Sequence, residues 1–229
     1  MTTEQNPAGV PPGGEDTTVE HLETSGTFSL DGGTWDVDNN VWIVGDGQEC
    51  LIIDPAHDPD AVASAVGERQ VQAILLTHGH DDHIRAVSEV AERVGAPVYL
   101  NPADLMLWED VYPGTTPDEI IDDGQEFTIG RGENQVTLQT IHTPGHSPGS
   151  TCFYVPDMNG GVLFAGDTLF AGGPGATGRS YSDFHTIIAS IRDKLFTLPG
   201  QTRVLPGHGE ATTIAAEQPH LQEWIDRGY

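Results

Sequence analysis

Apolar and polar positions alternate along the chain in a way that repeats in outline in its two halves. "TFSLDGG" and "VWIVGDG" end in glycine-containing turns, and "CLIID" follows directly. Short apolar runs bounded by such turns read as strands, here in an antiparallel start. In "DPDAVASAVGER" apolar residues recur at helical spacing, with Asp58 or Asp60 suited to the N-cap. "VQAILLTH" is a continuous apolar run, as in a strand buried on both faces. "IRAVSEVAERVG" predicts a helix ending at Gly95, "APVYL" a short strand, and "NPADLMLWED" a short helix with Pro102 in its first turn. After the acidic loop "TTPDEIIDDG", strands return at "EFTI", "VTLQTIH", "TCFYVP" and "GVLFAGD". "YSDFHTIIASIRDKLFTL" predicts a helix with Ile187, Ile188, Ile191 and Leu195 on one face; "TRVLPGHG" reads as a last strand and "EQPHLQEW" as a terminal helix. Two runs of strands, each closing in a βα unit, predict an α+β fold with two sheets packed on each other and helices outside.

Charge narrows the range of partners. The chain carries 35 acidic against 9 basic residues, a formal net of −26, and Lys194 is its one lysine. Such a surface repels nucleic-acid phosphates and anionic membrane faces, so neither is an expected partner. No apolar run approaches the roughly 20 residues that span a bilayer. Residues 1–25 are acidic and rich in proline and glycine, without the basic and apolar regions of a secretory signal. They read as a disordered leader before a single domain at 26–229, in a cytoplasmic protein. Cys50 and Cys152 lie in apolar runs and read as buried strand residues.

The chemistry concentrates in "THGHDDH", residues 77–83, which follows an apolar strand and precedes a helix. Side chains at the carboxyl ends of such strands converge where α/β proteins bind ligands. Three further strand ends carry the same kind of residue beside a glycine: His146, Asp167 and His208. Glycine there lets the backbone turn sharply and come close.

"HGHDDH", "TPGHSPGS", "AGDTLF" and "PGHG" resemble the metal-binding motifs of the metallo-β-lactamase fold superfamily. Within it they are most similar to hydroxyacylglutathione hydrolases (glyoxalase II) of the short bacterial type. The resemblance covers about residues 26–215 and implies a four-layer αββα sandwich. It implies two divalent metal ions, zinc first, with iron or manganese as alternatives. One ion would take His78, His80 and His146, the other Asp82, His83 and His208, with Asp167 bridging. A bridging hydroxide would be the nucleophile, held in orientation by Asp82. Asp167 separates this pattern from the true β-lactamases of the superfamily, which generally lack the bridging aspartate.

The implied activity is hydrolysis of an acyl thioester of a low-molecular-weight thiol. The stretch "TGRSYSDF" resembles the thiol-binding segment, with Arg179 and Tyr181 in matching places. The C-terminal helical extension of longer members is missing or stunted, so mycothiol stands beside glutathione as the thiol half. The partner expected is that small molecule; monomer and homodimer stay open. A persulfide dioxygenase with one non-haem Fe(II) is the chief rival, on residues matching His78, His146 and Asp167. A degenerate metal-binding module without catalysis ranks last, because no ligand position is lost. His142 reads as structural, Asp81 as a neighbour of the ligands, and His21, His57, His185 and His220 take no site role.

Overall fold

The computed structural model describes residues 17–158 and 160–228. The first sheet is ordered β1 (Thr18–Leu30), β2 (Gly33–Gly45), β3 (Glu49–Ile53), β4 (Gln70–Leu75), β5 (Val98–Leu100) and β6 (Glu119–Ile120). Its first three strands are antiparallel and its last four parallel. The second sheet uses β7 (Glu126–Ile129), β8 (Val136–His142), β9 (Thr151–Val155) and β10 (Val162–Gly166). A small ribbon, β11 (Leu169–Phe170) with β12 (Gly173–Pro174), precedes its last members, β13 (Arg203–Pro206) and β14 (Thr212–Thr213). Its order is β14-β13-β10-β9-β8-β7, with β10 and β13 parallel.

The layering follows from the period of two along each strand. Leu51, Ile53 and Leu75 face Phe127, Leu138, Phe153 and Phe164 in a core between the sheets. Their neighbours Cys50, Ile52 and Ile74 face the other way. There they pack on Val62 and Val66 of α1 (Pro59–Val66), Ile84 of α2 (Asp81–Ile84), and Val87 and Val90 of α3 (Val87–Val94). Trp108 of α4 (Leu105–Val111) joins them. Behind the second sheet, Cys152, Leu163 and Val204 meet Ile187, Ile188 and Ile191 of α5 (Phe184–Asp193). Beyond the short α6 (Ile214–Glu217), Trp224 of α7 (Leu221–Arg227) closes that core. The result is the four-layer helix–sheet–sheet–helix sandwich. Both cysteines are fully buried in strands. No helix among the described residues is long and apolar enough to cross a membrane.

Three boundaries differ from the sequence reading, the first two for a tertiary reason. Ordered chain begins well before residue 26: β1 starts at Thr18 and pairs residue for residue with β2, from Thr18 opposite Gly45 to Leu30 opposite Gly33. Residues 1–16 of the leader lie outside the described residues. The helix expected over 84–95 is two helices, because the Ala86 N–H bonds to Ala56 O of a neighbouring loop at 3.1 Å. Asp58 is the N-cap of α1, accepting from Ala61 N, and Gly95 ends α3 in the left-handed region as expected. In "NPADLMLWED", Pro102–Asp104 forms a 3₁₀ turn capped by Asn101 before α4 begins.

The β1–β2 hairpin is longer than the sheet it belongs to, since β3 pairs only with Trp42–Gly45. Its outer half projects to a tight turn with Asp31 and Gly32 at positive φ. Ser29 N donates to Asp81 Oδ1 at 3.0 Å, which pins the projecting end over the start of α2.

Candidate metal centre

The parallel pairings β3–β4 and β10–β13 bring the carboxyl ends of four strands to one edge of the sandwich. Backbone bonds tie the two sheets there: Thr151 N to Thr77 O at 2.8 Å and Asn40 N to Gly207 O at 2.8 Å. The segments after β4, β8, β10 and β13 carry His78 and His80 with Asp82 and His83 of α2, His146, Asp167 and His208, and they meet in one place.

The donor atoms fall into two groups with no shared residue, and a third set, Asp54 with His78 and His83, overlaps both. His78, His80 and His146 can each turn a ring nitrogen to a common point, as can one donor atom each from Asp82, His83 and His208. His146 Nε2 lies 3.0 Å from His80 Nδ1. His208 Nε2 is 3.2 Å from Asp82 Oδ2 and 3.3 Å from His83 Nε2. Asp167 touches both groups. Its Oδ1 is 3.4 Å from His83 Nε2, and its Oδ2 is 3.6 Å from His146 Nε2 and 3.5 Å from His208 Nε2.

Each ligand-type histidine is aimed by its other nitrogen, with one exception. His208 Nδ1 pairs with Asp38 O at 2.6 Å and His146 Nδ1 with Ala176 O at 2.8 Å. His78 Nδ1 faces Thr77 Oγ1 at 3.0 Å, and His83 Nδ1 faces Asp54 Oδ2 at 3.0 Å. Such outer partners fix ring orientation and tautomer, leaving Nε2 toward the centre. His80 instead directs Nδ1 inward. His78 Nε2 is buried with no hydrogen-bond partner.

The electrostatics point to the same missing component. Burial holds His78 well below the usual histidine range and takes His80 down to about 3, so both stand as neutral donors. Burial opposes charge at His83 as well, yet Asp82 and Asp167 together raise it well above the usual range. At Asp167 burial is overridden by His208 and His83, which keep its carboxyl well below the carboxylate range. Two carboxylates drawing charge into a buried imidazole cluster, beside an orphaned Nε2, fit bound cations in place of protons. The donor set of imidazole and carboxylate suits zinc, iron or manganese alike.

The family model of the metallo-beta-lactamase superfamily matches residues 34–208, three-quarters of the chain and every donor above. The chain belongs to the metallo-beta-lactamase superfamily. It is 37% identical over 194 residues to the "Probable metallo-hydrolase YqgX" of Bacillus subtilis, covering 79% of this chain and 89% of that one. It is 31% identical over 187 residues to the "Hydroxyacylglutathione hydrolase GloC" of Haemophilus influenzae, covering 76% and 86%. Among solved structures it is similar to "TTHA1623 in a di-iron-bound form", at 32% identity and TM-score 0.69 over 85% of this chain and 96% of that one. It is similar to the "BLEG-1 B3 metallo-beta-lactamase" at 32% identity and TM-score 0.70, covering 86% and 97%. Membership in this superfamily of metallo-hydrolases supports a hydrolase-type enzyme with a two-metal centre.

Around the superfamily's ligand set the structure adds residues that the sequence reading passed over. Asp54, at the end of β3 with φ 49°, accepts from Thr77 N at 2.8 Å and Thr77 Oγ1 at 2.6 Å besides facing His83. Its strand-end position in "CLIID" was the available signal. Asn39 Nδ2 donates to Asp82 Oδ2 at 3.1 Å and is wholly buried, with no comparable signal. Asp104 is likewise buried, from a segment read as plain helix.

The remaining candidates sort by geometry. Arg179 lies with its guanidinium carbon 4.0 Å from the Trp35 ring centroid and 5.5 Å from that of Phe28. Phe28 in turn sits 5.3 Å from the His80 ring. Among the described residues no ion pair holds Arg179, although the chain is strongly acidic. Its loop is tied to the hairpin turn through Ser180, whose N–H and Oγ donate to Asp31 at 3.0 and 2.6 Å. Tyr181 is 54% exposed with φ 68°. His142 pairs with Pro148 O at 2.8 Å within its own loop. Asp81 pairs with Arg85 and the hairpin, and His57 packs beneath Gly26 of that hairpin.

Proposed function

We propose that this chain hydrolyses acyl thioesters of a low-molecular-weight thiol, glutathione or mycothiol, inside the cytoplasm. The observation that carries the reading is the position of Asp167 between the two halves of a complete donor set, its Oδ2 near both His146 and His208 and its Oδ1 near His83. Two divalent ions held by His78, His80 and His146, by Asp82, His83 and His208, and by Asp167 between them would supply water of lowered pKa and a polarising charge for the acyl oxygen.

The chain's own residues set the rest. Asp82, steadied by Asn39, can accept a hydrogen bond from an attacking water and hold it in line with the acyl carbon. A thiolate leaves without a strong general acid, and every histidine of the centre is already committed to ligand geometry. Arg179 stands on an aromatic shelf next to the centre, in no ion pair among the described residues, suited to a carboxylate or carbonyl of the thiol half. The GloC relative supports this substrate class. The formal charge of −26 argues for a small-molecule partner rather than nucleic acid or an anionic membrane.

The test is a panel of acyl thioesters of glutathione, mycothiol and coenzyme A, with metal quantified on the same sample. About two ions per chain with thioester turnover lost on chelation is the expected result. A β-lactam belongs in the panel because of the BLEG-1 neighbour; turnover of it alone would replace the thioester reading. One iron per chain with oxygen uptake on a persulfide would replace it with the dioxygenase.

A further inference from the structure

Asp104 is a fully buried carboxylate that none of the chemistry above uses. Burying such a charge is costly unless its lone pairs are satisfied. Three donors do so. Gly79 N–H reaches Oδ2 at 2.9 Å, Ser147 Oγ reaches the same oxygen at 2.6 Å, and Gly149 N–H reaches Oδ1 at 2.6 Å. Gly79 stands between His78 and His80, and Ser147 follows His146. All three donors therefore come from the two loops that carry the ligands of the first metal group.

The close approach depends on two motif glycines. A Cβ on Gly79 would fall 3.1 Å from Asp104 Cβ, and one on Gly149 would fall 2.6 Å from the Asp104 carboxyl carbon. The glycines in "HGH" and "SPGS" are thus spaces into which this carboxylate is drawn. The second group is aimed by other partners: Asn39 at Asp82 and Asp38 O at His208.

We propose that Asp104 is a positioning residue for the first metal site alone, clasping the 77–80 and 146–149 loops at the separation at which His78, His80 and His146 share one ion. The inference rests on the two-ion reading of the centre and is independent of which substrate is cleaved.

Cobalt(II) titration tests it, followed by the visible absorption spectrum and by metal content after gel filtration. The wild-type chain, Asp104→Asn and Ser147→Ala are compared, with His146→Ala and His208→Ala as spectral references for the first and second sites. In Asp104→Asn an amide N–H₂ must face one of the former donors. One ion should weaken roughly 10–100-fold, the usual effect of losing an outer partner of a metal site. The band lost should be the one lost in His146→Ala, while the band lost in His208→Ala persists. Ser147→Ala, which removes one donor of three, should shift the same band less. Parallel weakening of both ions, loss of the second-site band, or unshifted affinity overturns the proposal. If Asp104→Asn does not fold, folded Ser147→Ala with unchanged first-site affinity overturns it. A wild-type chain that binds a single ion refutes the two-ion reading separately; the clasp then stands or falls on whether that ion weakens in Asp104→Asn.

Discussion

His78, His80, Asp82 and His83 on the floor of the metal centre are no more than 5% exposed, whereas Trp35 and Tyr181 on its rim are 40% and 54% exposed. The floor is over-determined. Its imidazoles and carboxylates are held from behind by Asp54, Asn39 and backbone carbonyls, and two of its loops bond to Asp104. The rim rests on two aromatic faces, one arginine, and a serine–aspartate contact between the hairpin turn and the Arg179 loop. Buried polar groups must be satisfied in a unique geometry, while an exposed shelf can change its side chains without unfolding anything. Under the proposed function, the reaction belongs to the floor and substrate choice to the rim.

The largest effect that would break this division comes from the floor. Asp167→Ala should empty the centre of metal and lower kcat/KM by roughly 10³-fold or more, about 4 kcal/mol of transition-state stabilisation. Metal analysis and thioester turnover on one preparation check it, and retained turnover without metal would refute the assignment. On the rim, Arg179→Ala should lower kcat/KM roughly 10–100-fold for thioesters with a carboxylate on the thiol half, the value of a hydrogen bond to a charged group. Its metal content should match wild type; a fall in metal would move Arg179 to the floor. Trp35→Ala should raise KM only about two- to fivefold, since an exposed cation–π contact contributes roughly 0.5–1 kcal/mol. An effect as large as that of Arg179→Ala would mean that the ring touches substrate directly.

The smallest effect expected is none. Cys50 and Cys152 face helices on opposite sides of the sandwich, and burial pushes both thiols up to about 11. Neither should react with a thiol reagent at neutral pH until the chain unfolds, as a labelling time course with and without denaturant would read. Rapid labelling of the folded chain would contradict the core described here.

The strand ends and their donor residues were legible in the sequence, because ligand side chains sit at set distances from apolar runs whose period is local. "THGHDDH", His146, Asp167 and His208 stand out by residue type and by adjacent glycines. The break at Ala86 was not legible, since Ala56 supplies the competing acceptor from thirty positions away. The start of β1 at Thr18 was hidden for the same reason. Residues 18–25 are polar in composition and become strand because β2 offers them a complete ladder.

What this sequence determines by itself is the alternation of strands and helices, the two-sheet architecture and the inventory of donors, all consequences of patterns within a few residues. Tertiary structure alone decided which groups stand behind the ligands and which stand in front. Asp104 looks like a helix residue until the fold closes two loops on it, and Arg179 looks like any surface arginine until the hairpin brings Phe28 and Trp35 beneath it. The reason is physical: a buried carboxylate or a guanidinium stacked on aromatic rings gains its meaning from partners distant in the chain, and those distances exist only once the sheets have packed.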